Sequence, residues 1–131
     1  MELREVMTTD VLEVELATTL QEACQAMRDR KASSVTVSED GYLVGILTER
    51  DIVKAVAEGI DTTISHVRDY MTRSPVAATP DMSVEEAVQI MIEHGFRHLP
   101  VVDGERELKG IVSIRDLARA GIKLPADAIH K

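Results

Sequence analysis

Two short stretches carry the residue types that sugar and phosphate chemistry needs. Gly45-x-x-Thr48-x-Arg50-Asp51 and Gly110-x-x-Ser113-x-Arg115-Asp116 each set a glycine at a strand end, a hydroxyl at a helix start and a carboxylate three residues later. A helix start leaves backbone N–H groups unpaired and carries partial positive charge, which suits phosphate. The hydroxyl can bond a phosphate or ribose oxygen. The carboxylate can accept both ribose hydroxyls, as an acidic residue does in dinucleotide-binding folds. The same spacing is also a plain capping box, in which Asp51 bonds back to the Thr48 backbone. A cap has no need of Arg50 and Arg115, yet both stretches keep them.

A second cluster, Gly95-Phe96-Arg97-His98-Leu99-Pro100-Val101, places two adjacent donors before an apolar run. The fork of N–H groups on an arginine matches phosphate oxygens. An exposed pair beside a turn is the alternative reading. The equivalent positions earlier in the chain are Ser33 and Ser34, which donate hydrogen bonds without charge, so two sites built from these stretches would differ in their preference for phosphate. His94 and His98 stand four apart, a metal-chelating interval on a helix, but Gly95 is expected to end the helix between them. No metal is expected. Cys24 falls on the apolar face of a helix and reads as a small core residue. No nucleophile with a neighbouring base and no Gly-x-x-x-x-Gly-Lys-Ser/Thr loop occurs, so the chain does not read as an enzyme.

These stretches belong to a duplicated chain. Val6-Met7-Thr8 matches Tyr70-Met71-Thr72 at a spacing of 64, as do Thr19 to Ala23 with Ser83 to Ala87, and Met27 with Met91. One residue enters the second copy near Gly104, and the spacing becomes 65 for Gly45 to Ile52 against Gly110 to Leu117. The insertion falls in a polar turn, where length changes are tolerated. Each copy reads as strand, helix, strand, strand, helix, so the fold class is mixed α/β (α+β). The elements expected in the first copy are a strand at Val11–Val14, a helix opening at Thr19 with Glu22 in a capping box, strands at Val35–Val37 and Leu43–Leu47 joined by Asp40-Gly41, and a helix opening at Thr48. The second copy repeats them at Val76–Ala78, Ser83–Glu93, His98–Val102, Leu108–Val112 and Ser113–Ala120. The expected division is residues 1–60, a linker at 61–68, residues 69–121, and a loosely held tail at 122–131, with a short helix expected within 57–68 and leading into Tyr70.

Composition narrows the function. A formal charge of −8 opposes broad nucleic-acid binding and requires any bound phosphate to meet a local cluster of donors. A single cysteine rules out an internal disulfide. No apolar run reaches spanning length, and the acidic start MELREVMTTD is unlike a signal peptide. No membrane partner is expected, and the expected location is cytoplasmic.

The ordered set of Met-Thr starts, His98-Leu99-Pro100-Val101-Val102-Asp103 and two Gly-x-x-Thr/Ser-x-Arg-Asp segments resembles a tandem cystathionine-β-synthase (CBS) domain pair, or Bateman module, of the stand-alone kind, over residues 6–120. The resemblance implies two repeats in pseudo-twofold symmetry with two clefts. It implies AMP, ADP or ATP as regulatory ligand (S-adenosylmethionine or another adenosyl compound being the alternative), a homodimer and a downstream protein partner. Carried onto this chain, one cleft would use Thr48, Arg50 and Asp51 with Thr72, Val76, Arg97 and His98. Asp51 would hold ribose, Thr48 and the basic pair the phosphates, and Val76 would neighbour adenine. The other would use Ser113, Arg115 and Asp116 with Thr8, Leu12, Ser33 and Ser34, and it lacks the basic pair. An interaction module with empty clefts is the competing reading.

Overall fold

The structure is a computed structural model that describes residues 1–126. In chain order its elements are β1 (Glu13–Val14), α1 (Leu20–Arg30), β2 (Ser34–Glu39), β3 (Tyr42–Thr48), α2 (Glu49–Ala57), β4 (Thr72–Arg73), α3 (Val84–His94), β5 (His98–Val102), β6 (Leu108–Ser113) and α4 (Ile114–Arg119). Short 3-10 turns at Leu3–Glu5 and Val67–Asp69 precede the two Met-Thr steps. The second leads into Tyr70 and ends one residue beyond the bounds expected for a short helix there.

Local chemistry fixes most boundaries. Thr19 caps α1: its Oγ1 accepts the Glu22 N–H at 3.1 Å, and the Glu22 carboxylate accepts the Thr19 N–H at 3.0 Å. Ser83 caps α3 by accepting the Glu86 N–H at 3.1 Å. Gly95 ends α3 in the left-handed region at φ 71°, a conformation glycine adopts without steric cost. Asp40 and Gly41, both at positive φ, make the two-residue hairpin turn between β2 and β3. The longer turn of the second copy is held by Asp103, whose Oδ1 accepts the N–H groups of Glu105 and Glu107 at 2.9 Å each.

The chain forms two compact units, and they do not coincide with the sequence repeats. One comprises residues 11–75; the other joins residues 1–10 to residues 76 onward. In the first, the sheet runs β1-β2-β3-β4, with β1 parallel to β2 and the other pairs antiparallel. Its last strand is the Met-Thr start of the second copy. In the other unit β5 and β6 pair antiparallel, and Thr8 bridges Ile111 through two hydrogen bonds of 2.8 and 2.9 Å. Each copy's opening segment therefore completes the sheet of the other copy. Leu3 and Val67, equivalent at a spacing of 64, are fully buried plugs in the two cores.

The two copies differ at their first strands. Thr36 donates its N–H to the Leu12 carbonyl at 3.0 Å. The equivalent of Thr36 is Pro100, which has no N–H to give. The expected strand at Val76–Ala78 is accordingly reduced to a bridge between Ala78 and Val101. The tail also departs from expectation. Ile122 donates to the Leu117 carbonyl at 3.0 Å, and Ile122 and Leu124 pack against the core of their unit, so the chain is held past Gly121. The last part of the expected tail, residues 127–131, lies outside the described residues.

Candidate functional site: two capped helix starts

Both helix starts are genuine capping boxes. Thr48 donates its N–H to Asp51 Oδ2 at 2.9 Å and its hydroxyl to the same oxygen at 3.1 Å, while the Asp51 N–H reaches Thr48 Oγ1 at 3.4 Å. Ser113 donates its N–H to Asp116 Oδ2 at 2.9 Å, and the Asp116 N–H donates to Ser113 Oγ at 3.0 Å. The cap consumes one carboxylate oxygen in each copy. The other, Oδ1, takes no hydrogen bond among the described residues. Asp51 and Asp116 are half-buried, and Arg50 and Arg115 are exposed. The cap thus leaves the second oxygen of each side chain uncommitted among the described residues.

β pairing decides which residues lie near these starts within a unit. Ser34 is opposite Thr48 across β2 and β3, and the Glu49 N–H donates to the Ser33 carbonyl at 3.2 Å. His98 is opposite Ser113 across β5 and β6, and the Ile114 N–H donates to the Arg97 carbonyl at 3.0 Å. Thr72 is paired with Ile46, two residues before Thr48; Thr8 is paired with Ile111, two residues before Ser113. The unit of residues 11–75 therefore gathers Leu12, Ser33, Ser34, Thr48, Arg50, Asp51 and Thr72, and the other gathers Thr8, Val76, Arg97, His98, Ser113, Arg115 and Asp116. Each of the two expected site sets draws residues from both units.

Sequence reasoning missed the partners of the two glycines. A Cβ on Gly45 would collide with Met71 Sδ; one on Gly110 would lie 2.8 Å from the Thr8 carbonyl oxygen and 2.9 Å from Met7 Sδ. These glycines admit the methionine of the opening segment, and with it the threonine edge beside the helix start. The signal was present in the sequence, since Met7 and Met71 repeat as faithfully as the glycines do.

Gly95 separates His94 from His98, and His94 instead stacks on Phe96, with ring centroids 5.1 Å apart. No group of three or more His, Cys, Asp or Glu side chains that could hold a metal ion occurs among the described residues. Burial pushes the half-buried Cys24 thiol above its ordinary value, which disfavours the reactive thiolate. No helix of the described residues is long and apolar enough to cross a membrane.

The family model of the CBS domain matches residues 3–58 and again residues 67–123. The chain belongs to the CBS-domain family. Among relatives of this CBS pair, the CBS domain-containing protein YhcV of Bacillus subtilis is 40% identical over 116 residues, which is 88% of this chain and 81% of that protein. The fold matches that of CBSX2 solved in complex with AMP, at a TM-score of 0.80 and 27% identity over 92% of this chain and 95% of that one. It also matches the CBS domain pair of MJ0100 in complex with 5′-methylthioadenosine and S-adenosyl-L-methionine, at a TM-score of 0.85 and 25% identity over 92% of this chain and 99% of that one. CBS pairs thus include binders of adenosyl ligands, and the mixed α+β architecture expected from the sequence is the one observed.

Proposed function

We propose that this CBS pair is a regulatory module that binds an adenosine nucleotide (AMP, ADP or ATP), performs no chemistry on it, and passes the bound state to a partner protein. The observation that carries the reading is the repeated cap with a spare carboxylate oxygen, present at Asp51 and again at Asp116. Those oxygens would accept ribose hydroxyls, and Thr48 and Ser113 would add hydroxyl contacts. Arg97 and His98 supply the local donors that a phosphate requires in a chain of formal charge −8. Arg50, Arg115, Thr8 and Thr72 would border the ligand, with Leu12, Ser33, Ser34 and Val76 completing the contact set. The AMP complex of CBSX2 supports AMP as first candidate, and the MJ0100 complex keeps S-adenosylmethionine and methylthioadenosine as alternatives. The setting we propose is the cytoplasm.

A ligand that binds only the native state raises the melting temperature by mass action. AMP, ADP and ATP at millimolar concentration are expected to raise it, whereas guanosine and pyrimidine nucleotides are not. No shift with any adenosyl compound would reject the reading.

One observation favours a second role. On α2, Val53 and Val56 are 66% and 55% exposed, although Ile52 and Ala55 of the same helix face the core. A helix apolar on both faces favours cover by another protein surface. We propose that this face supports homodimerisation. A dimeric mass in light scattering that falls to monomer in Val53→Lys would support this, and a monomeric wild type would reject it.

A further inference from the structure

We propose that the two ribose-type carboxylates of this CBS pair serve different ligands: one a phosphorylated adenosine nucleotide, the other a phosphate-free adenosyl compound. The inference rests on the adenosine-binding reading above. It comes from one difference of chemistry at equivalent places in the duplicated fold.

Ser33-Ser34 and Arg97-His98 occupy the same position in their two units. In each pair the second member begins the strand (β2 or β5) and the first precedes it, its carbonyl accepting the N–H of the first helical residue, at 3.2 Å from Glu49 and 3.0 Å from Ile114. The second member of each pair is opposite the capping hydroxyl, Ser34 across from Thr48 and His98 across from Ser113. The backbone is the same and the side chains are not. Half-buried Ser33 and buried Ser34 offer hydroxyls, whereas exposed Arg97 brings a guanidinium and half-buried His98 an imidazole.

That difference decides ligand class. A phosphate brings negative charge into the field of a chain of formal charge −8. It needs charge-assisted hydrogen bonds, which are roughly twice as strong as neutral ones. Two serine hydroxyls give neutral hydrogen bonds and do not compensate the charge. Arg50 and Arg115 are common to both copies and do not discriminate between them. Two ribose-type carboxylates thus have one basic pair between them, and one phosphorylated ligand binds per chain. The remaining carboxylate is left with an adenosyl compound whose 5′ substituent is uncharged or cationic, the charge that an acidic protein attracts.

Calorimetry on the full chain with AMP and with 5′-methylthioadenosine tests this. AMP is expected to fill one equivalent per chain. Methylthioadenosine titrated into AMP-saturated protein is expected to fill a second, with its affinity changed by less than about twofold. The double variant Arg97→Ala/His98→Ala is expected to weaken AMP by about 10- to 100-fold, the loss of a charge-assisted contact, and to leave methylthioadenosine unaffected. Displacement of methylthioadenosine by AMP, or two equal AMP equivalents per chain, overturns the proposal while the adenosine-binding reading stands. Binding of neither compound overturns that reading itself.

Discussion

The cap occupies one oxygen of Asp51 and one of Asp116, and variants can separate capping from the proposed ribose contact. Oδ2 holds the cap, and Oδ1 is free of hydrogen bonds among the described residues. Asp51→Asn keeps one oxygen for the Thr48 N–H and replaces the other with a donor that cannot accept from ribose. It is expected to change the urea midpoint little and to weaken by about tenfold whichever adenosyl ligand Asp51 holds. Asp51→Ala removes both oxygens and is expected to lower stability by about 1 kcal/mol as well, read from the same urea curves. Four other carboxylates bear on stability. Glu22 is held below its ordinary value chiefly by the Thr19 N–H; Asp61 and Asp81 chiefly by the hydroxyls of Thr63 and Thr79; Asp103 by the N–H groups of Glu107 and Glu105. A lowered folded value adds stability above the unfolded value and loses it as pH falls through the folded one. The urea midpoint is therefore expected to hold down to about the ordinary values, 4.5 for Glu22 and 3.8 for the aspartates, and to fall modestly at lower pH, since Glu22, Asp61 and Asp81 are exposed and Asp103 is only half-buried.

At the scale of elements, the glycines of the helix-start motif act through packing. Gly110 faces the Thr8 backbone, which cannot swing aside; Gly45 faces only the Met71 side chain, which can. Gly110→Ala is expected to cost about 1–3 kcal/mol by overpacking, and Gly45→Ala less. Met71→Ala in the Gly45→Ala background should recover part of the loss in a denaturation cycle, whereas Met7→Ala should not rescue Gly110→Ala. Helices and hairpins were legible in the sequence because their signals are local: Thr19 with Glu22, Asp40-Gly41, and Gly95 at positive φ. The weak first strand of the second copy was not. It depends on what residue 100 can donate to a neighbour far away in the chain, and Pro100 donates nothing. The hold on Ile122 and Leu124 was equally hidden, since it comes from the shape of a core and from no pattern in the tail itself.

At the scale of the whole molecule, duplication was readable and the exchange of opening segments was not. Equal spacing shows that two copies exist, but it is silent on which sheet each Met-Thr start joins. The structure answers with Thr72 on β3 and Thr8 on β6. Leu3 thus stabilises the unit built from the second copy, and Leu3→Ala is expected to cost about 2–5 kcal/mol there. Hydrogen exchange would read that loss in α3 and β5 rather than in α1 and β2. The candidate site was legible in its residue types, because Gly, hydroxyl, Arg and Asp recur in order. Its asymmetry was legible too, in Ser33-Ser34 against Arg97-His98.

The most direct measurement is isothermal titration of AMP into the full chain, repeated with Asp51→Asn, Asp116→Asn and Arg97→Ala. The account predicts saturable binding to the wild type, loss of about tenfold or more in Arg97→Ala, and a comparable loss in one of the two aspartate variants. Absence of AMP binding to the wild type, or binding untouched by all three substitutions, would contradict it.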